Sequence, residues 1–184
     1  MAEKDASFEE EEDIRNELIV LLLGSVNNRI NSKINFQKEL FLVVQSFPKF
    51  QPLFQFIPHK YGPYSNEADY IIENYPELYN QDKKGIELTS EGKEYHNHLL
   101  KQMSFEKRKI LEHILKNIRS LYDKLNDQEF MFLIYETYGY TEKSEVFNAL
   151  MKNRRYLARK LLDKGVITQR RYQELISERN EINS

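Results

Sequence analysis

Apolar residues recur at helical spacing along most of the chain, beginning at Asp13. The first stripe predicts a core helix that ends near Asn28, and the next predicts a helix that starts after Asn35 and ends at Pro48. The stripe residues of the two helices are Ile14, Leu18, Leu21, Leu22 and Val26, then Phe36, Leu40, Val43, Val44 and Phe47. Residues 1–12 include four consecutive glutamates and have no helical apolar stripe, so we expect a disordered acidic leader there.

The next segment is rich in proline and predicts a strand, a turn and then a short helix. Residues 54–57 alternate weakly, which indicates an edge strand, and the Gly-Pro pair that follows indicates a turn. Ser65 can accept hydrogen bonds from the free N–H groups after it, so we expect it to cap a helix over residues 66–75. Residues 78–81 and 86–88 then predict a small hairpin. This order is typical of a winged-helix-like domain with the hairpin as its wing, and we place that domain at residues 13–101.

From Ser104 onward every pattern is helical. A stripe predicts a helix over residues 105–125, and Asn126 with Glu129 has the sequence of a capping box that starts the next helix. Another helix is expected over residues 144–163, with Lys164-Gly165 at its end, and Thr168 should cap the last one. We therefore predict a mainly α protein in which a C-terminal helical bundle, residues 104–182, follows the winged-helix-like domain.

Three short motifs resemble one known domain family. They are Phe36-Gln37-Lys38-Glu39-Leu40-Phe41 in the second helix, Tyr61-Gly62-Pro63-Tyr64-Ser65, and Leu88-Thr89-x-x-Gly92-Lys93. Together they cover residues 34–95 and resemble the domain shared by YwgA-like proteins and SocA-like Panacea antitoxins. The resemblance implies a winged-helix-like regulator or antitoxin that binds a partner protein, is sometimes carried in mobile elements, and has no catalytic residues. The region after Ser104 lies outside the resemblance.

Charge is unevenly distributed along the chain, although the net charge is only −2. Residues 1–100 hold 10 Lys and Arg against 17 Asp and Glu, whereas residues 101–171 hold 16 against 9. This asymmetry indicates either a surface for nucleic acid or an acidic partner, or two segments that neutralise each other within one fold or across a homodimer. Because the apolar runs are too short to cross a bilayer and the chain opens with acidic residues, we expect a cytoplasmic protein without a membrane partner.

The helix over residues 66–75 is the candidate interaction element, since it carries Glu67, Asp69 and Glu73 and no lysine or arginine. A helix that docks in DNA needs Lys or Arg to neutralise phosphates, and outward carboxylates repel them. We therefore predict that the main partner is another protein, a toxin or a regulatory component, bound through an aromatic and acidic surface. The predicted contact residues are Tyr61, Tyr64, Ser65, Glu67, Tyr70 and Glu73.

The alternative is a DNA-binding transcriptional regulator that uses basic residues elsewhere. One helix side over residues 144–163 would carry a charged ridge, which is equally typical of a solvated face or of salt-bridge partners for the acidic half. The candidate nucleic-acid contacts are Lys83, Lys84, Lys152, Arg155, Arg159, Arg170 and Arg171. Arg154 instead falls on the apolar side of that helix, so we expect it to have a carboxylate partner.

No catalytic, cofactor or metal site is predicted. The chain has no cysteine, which excludes disulfides, thiolate nucleophiles and cysteine-ligated metals. His96 and His98 are two residues apart and on a helix point in different directions rather than at one ion. Phosphate-binding glycine loops and serine nucleophile motifs are missing from the sequence, so we expect a protein that is not an enzyme. The apolar stripe over residues 105–125 would suit pairing in a homodimer as well as packing within one chain.

Overall fold

A computed structural model describes residues 2–59, 61–139 and 145–177 of the chain. The described residues are mainly helical, with small sheets, which confirms the predicted fold class. They form two compact units, of which the first ends at Arg119 and the second begins at Ser120. Residues 58, 59, 61 and 62, at the tip of a hairpin, group with the second unit.

The first part of the chain has the element order of a winged helix. The elements to the end of α5 are α1 (Ala2–Gly24), β1 (Arg29–Ile30), α2 (Lys33–Ser46), a 3-10 helix (Pro48–Leu53), β2 (Phe56–His59), β3 (Gly62–Ser65), α3 (Asn66–Asn74), β4 (Tyr79–Asp82), β5 (Gly85–Leu88), α4 (Ser90–Gln102) and α5 (Phe105–Tyr122). Strands β1, β5 and β4 form an antiparallel sheet in that order, with Ile30 opposite Ile86 and Tyr79 opposite Leu88. The β4–β5 hairpin is the wing, and β2 pairs with β3 in a separate sheet inserted between α2 and α3.

Helix α1 is the central element of the first unit. The six residues from Leu18 to Leu23 are all buried, so this part of the helix is apolar on every side, as in a helix enclosed by other elements. Around it lie α3, α4 and strand β5. Helix α2 contacts β1, β5 and the 3-10 helix, and its apolar residues from Phe36 to Val44 are buried.

Helix α1 begins at Ala2, so the predicted disordered leader is wrong for residues 2–12. Glutamate is a good helix former. Glu11 pairs with Arg15 one turn later at 2.8 Å, and the Tyr75 hydroxyl donates to Glu12 at 2.9 Å. Local charge pairs therefore support this part of the helix in place of an apolar stripe.

The proline-rich segment has more regular structure than the sequence predicts. A 3-10 helix starts at Pro48, where the missing N–H of proline is not needed for helical bonding. Gly62 and Pro63, predicted as a turn, lie in strand β3 (Gly62–Ser65), and the predicted strand over residues 54–57 is displaced to Phe56–His59. Strand β1 was not predicted because its two residues are too few for a periodic pattern.

Gly85 allows the wing to lie against β1. Its φ is +140°, and a Cβ at this position would collide with the backbone carbonyl oxygen of Ile30. Since only glycine tolerates both conditions, β5 reaches its central place in the sheet through this residue.

The second unit contains the remaining helices of the described residues, and three predicted helix ends are confirmed there: the capping box at Asn126, the glycine after Lys164 and the cap at Thr168. Asn126 and Glu129 form the capping box, each side chain accepting from the other's backbone N–H at 2.9 Å. Gly165 follows the third of these helices with φ +70°, and the Thr168 hydroxyl accepts from the N–H of Arg171 at 3.2 Å. The helices are α6 (Asp127–Tyr138), α7 (Glu145–Lys152), α8 (Arg154–Asp163) and α9 (Gln169–Ser177).

The helix predicted over residues 144–163 is two helices. The chain breaks at Asn153, whose φ and ψ are −101° and 12° and whose N–H bonds to Leu150 in a tighter turn at 3.0 Å. The side-chain amide of Asn153 donates to the carbonyl oxygen of Ala149 at 3.4 Å. Asparagine competes for backbone groups through such bonds and is a weak helix former. Residues 144 and 178–182, at the ends of the predicted helix and bundle, lie outside the described residues.

The boundary between the units also differs from the sequence prediction, which ended the first domain at Lys101 and began the second at Ser104. The observed boundary lies inside α5, after Arg119. Arg119 is buried and forms an ion pair with Glu39 of α2 at 2.9 Å, and it donates to the carbonyl of Arg29. Most of α5 therefore belongs to the winged-helix unit.

Candidate functional site

A buried amide joins the second helix to the start of α3. The Nε2 of Gln37 donates to the carbonyl oxygen of Ser65 at 3.1 Å and to Oδ1 of Asp69 at 2.9 Å. Its Oε1 accepts from the backbone N–H of Ser65 at 2.8 Å. Two of the motifs that carry the family resemblance thus meet at one side chain, which fixes where α3 starts.

Asp69 is turned inward and is only 8% exposed, so its predicted place among outward carboxylates is wrong. Lys33 forms an ion pair with its Oδ2 at 2.8 Å, and the hydroxyl of Tyr64 donates to the same oxygen. The hydrogen bond to Asp69, together with burial, raises the pKa of Tyr64 to about 12. A buried carboxylate is stable only with such partners, and the cluster supplies a cation, a phenol and an amide.

The outward side of α3 is acidic and aromatic. Asn66, Tyr70, Glu73 and Asn74 are exposed and are spaced so that they share one side of the helix, which we call the α3 outer face. The ring of Tyr70 is 47% exposed, and no lysine or arginine occurs in α3. Glu67 is half-buried beside this face and accepts from the Ser65 hydroxyl at 2.6 Å.

Of the six predicted partner contacts, Tyr70 and Glu73 lie on the α3 outer face. Ser65 is buried and caps α3, accepting from the N–H of Ala68 at 3.3 Å, as predicted for a cap but not for a contact. Tyr64 is half-buried in the Asp69 cluster, while Tyr70 and Glu73 are outward. Tyr61 is 49% exposed, but it belongs to the second unit, where its ring lies 6.3 Å from that of His59.

Sequence reasoning missed Lys33 and Gln37 as residues that position α3. A signal was available for Gln37, because a run of three polar residues, Gln37-Lys38-Glu39, interrupts a helix whose next residues are all apolar. All three are buried, so each needs a partner inside the fold. Lys33, at the start of the helix, is not part of such a polar run, so nothing in the sequence indicated that it has a partner.

Lys83 and Lys84 are exposed at the tip of the wing, as predicted. The backbone N–H of Lys84 donates to Asp82 at 2.7 Å, and Arg29 also pairs with Asp82 at 3.3 Å. Asp82 therefore places a carboxylate directly beside the two lysines of the wing tip.

The predicted basic ridge is divided and partly neutralised. Lys152 ends α7, whereas Arg155 and Arg159 lie on α8, and Arg159 pairs with Asp163 at 2.9 Å. Arg170 and Arg171 both pair with Glu174, at 3.1 and 3.2 Å. The hydrogen bond from Arg171 lowers the pKa of the Glu174 carboxyl most, and that from Arg170 lowers it further. Lys152 and Arg155 remain exposed.

Arg154 has the carboxylate partner that its apolar position predicts. Its Nη2 lies 2.9 Å from Oε2 of Glu136 on α6, and both side chains are largely buried. This confirms the assignment of Arg154 to the inner side of α8, in contrast to its neighbour Arg155.

The described residues contain no group of three side chains that could hold a metal ion. His96 is half-buried, and burial lowers its pKa, with the charges of Glu112 and Arg108 acting in opposite senses. His98 is exposed and shares a hydrogen bond with Gln102 at 2.8 Å. Within the same described residues, no helix is both long and apolar enough to cross a membrane.

No family model and no curated protein matches the chain. The inference of function therefore depends on the residues and their arrangement.

Proposed function

We propose that this chain is a non-catalytic winged-helix module that binds another protein through the α3 outer face, as a regulator or an antitoxin-like component. The observation that carries the proposal is the composition of that face. Tyr70 and Glu73 point outward from the helix that other winged-helix proteins insert in DNA, and α3 has no cation to accompany them.

The charge of α3 disfavours binding to duplex DNA even though Asp69 is buried and does not contribute to the outer face. The neighbouring Lys33 is paired with Asp69, so its charge is already balanced inside the domain. Docking in a groove requires several phosphates to be neutralised by Lys or Arg. An exposed tyrosine beside asparagines and a carboxylate is better suited to a protein surface with basic residues, because tyrosine gives a large contact area at low entropic cost.

The arrangement of the motifs supports the fold on which the family resemblance depends. Gln37 of the first motif and Ser65 of the second are hydrogen bonded to each other, so these motifs specify one structural feature, the fixed start of α3. A toxin or a regulatory protein is the expected partner.

The test is capture of a partner by the full chain from its source cells, with the variants Tyr70→Ala and Glu73→Lys. We expect one protein to be recovered without nucleic acid, and each variant to reduce its recovery about tenfold, as for a central interface residue. Tyr156→Ala is the matched control, since Tyr156 is an exposed tyrosine on α8. Tyr64 is unsuitable because its substitution would also disturb Asp69.

A gel-shift assay on random duplex DNA supplies the opposite outcome. The DNA-binding alternative requires an affinity that falls steeply with salt. The logarithm of the association constant should fall by about 0.9 for each tenfold rise in salt concentration and for each phosphate neutralised. It also requires loss of binding when Arg155 and Arg159 are both changed to Glu. These two results together, with Tyr70→Ala unchanged, would contradict the proposal.

A further inference from the structure

The first unit has an apolar groove whose lining includes no residue of α3. Its volume is about 620 Å³, and it lies between α1, the 3-10 helix and the start of α5. Much of its lining is apolar and includes Ile14, Leu18, Phe47, Phe50, Met103 and Ile110. Ile110 is 58% exposed, so the groove is open to water along its α5 side.

The charged residues of the groove are predominantly basic. Lys49 and Lys107 line it and are exposed, and the Lys49 ammonium lies 4.6 Å from the centre of the Phe50 ring. Among the described residues, no carboxylate forms an ion pair with either lysine. Glu17 is the acidic residue of the lining, and burial, followed by the nearby charge of Asp13, raises its pKa.

We propose that this groove binds an amphipathic helix of a partner protein, with the apolar side of that helix on Ile110 and Phe50 and its carboxylates facing Lys49 and Lys107. Helices of this kind bind apolar grooves through anchors at i, i+3, i+4 and i+7. Charge complementarity at the rim selects acidic flanks. The proposal concerns a surface separate from the α3 outer face and does not depend on the function proposed for it.

Two other occupants fit less well. A small apolar molecule is normally enclosed over most of its surface, whereas the exposed side chain of Ile110 leaves one wall of this groove open. A second copy that placed its own α5 here would bring Lys107 towards Lys49 and Lys107 of the first, and like charges in contact oppose association.

The probes are two labelled synthetic peptides of about five helical turns, with identical leucine stripes and either glutamate or lysine flanks. Fluorescence anisotropy with the full chain should show the glutamate peptide binding at least about tenfold more tightly, with the difference reduced at high salt. Ile110→Asp should weaken that peptide by about tenfold or more. Because Ile110 is exposed, this variant should keep its thermal unfolding temperature.

Charge reversal tests the rim directly. The double variant Lys49→Glu with Lys107→Glu should reverse the preference towards the lysine peptide, whereas Lys83→Glu with Lys84→Glu, the same charge change on the wing, should leave it unaltered. Tyr70→Ala should also have no effect, which separates this result from that at α3.

Equal binding of both peptides, binding of neither, or an Ile110→Asp variant with unchanged affinity would each overturn the proposal. So would a dimer in sedimentation velocity that Ile110→Asp dissociates, since the occupant would then be a second copy. Saturable binding of dodecanoate without binding of the glutamate peptide would assign the groove to a small amphiphile and would equally overturn it.

Discussion

Gln37 uses both ends of its amide, because the nitrogen donates to Ser65 and Asp69 while the oxygen accepts from Ser65. All of these groups are buried. A side chain of the same shape with different hydrogen-bonding capacity should therefore fail here, since buried polar groups without partners are costly.

We predict that Gln37→Glu lowers the free energy of unfolding by about 2–3 kcal/mol at neutral pH. The substitution keeps the shape but replaces the donor with a carboxylate oxygen that faces the oxygens of Ser65 and Asp69. Urea unfolding monitored by circular dichroism would measure the change.

Gln45→Glu is the matched control, because Gln45 lies on the same helix and its amide contact is exposed. It should alter stability by less than about 0.5 kcal/mol. Equal losses in the two variants would mean that the Gln37 amide has no special role.

At the residue level, the sequence predicted those side chains whose environment follows from their own helix. Arg154 was correctly assigned to the apolar side of its helix, and Ser65 was correctly predicted as a cap. Asp69 was not, because its inward direction is determined by Lys33 and Gln37, about thirty residues away in sequence. Helical periodicity contains no information about such partners.

At the level of elements, ends marked by local chemistry were predicted better than ends determined by packing. The capping box of α6 and the glycine after α8 were read directly from the chain. The break at Asn153 was missed because the apolar stripe continues across it. Helices α7 and α8 each contact α6, and such packing is not recorded in the spacing of apolar residues.

Two asparagines that precede helices allow this difference to be measured. Asn126→Ala should cost about 1 kcal/mol of unfolding free energy, because it removes a side-chain bond to the helix N-terminus. Asn153→Ala should cost much less, since Asn153 precedes α8 without a side-chain capping bond. Chemical denaturation of both variants gives the comparison, and a larger loss for Asn153→Ala would contradict it.

At the scale of the whole molecule, the division of the chain could not be derived from its pattern. The sequence places a boundary between α4 and α5 because a helical break is visible there. The structure assigns α5 as far as Arg119 to the first unit, where Arg119 and Glu39 form a buried ion pair across eighty residues. A contact between two residues so far apart in sequence produces no periodic pattern along the chain.

We therefore predict that a fragment of residues 1–122 unfolds cooperatively, whereas one of residues 1–101 does not. Removing one partner of a buried ion pair costs about 3–5 kcal/mol, and the shorter fragment also loses the buried Leu115 and Ile118. Thermal unfolding of the two purified fragments would test this. Identical transitions would favour the boundary at Lys101.

The close approach of Gly85 to β1 has a consequence for how this chain can diverge. The lysines at the wing tip are exposed and can drift without disturbing the sheet, while Gly85 cannot accept even a methyl group. Homologues that preserve this architecture should retain glycine at the base of the hairpin after its tip has changed beyond recognition. Ancestry within this group would then be traced more reliably through a residue without a side chain than through its charged neighbours.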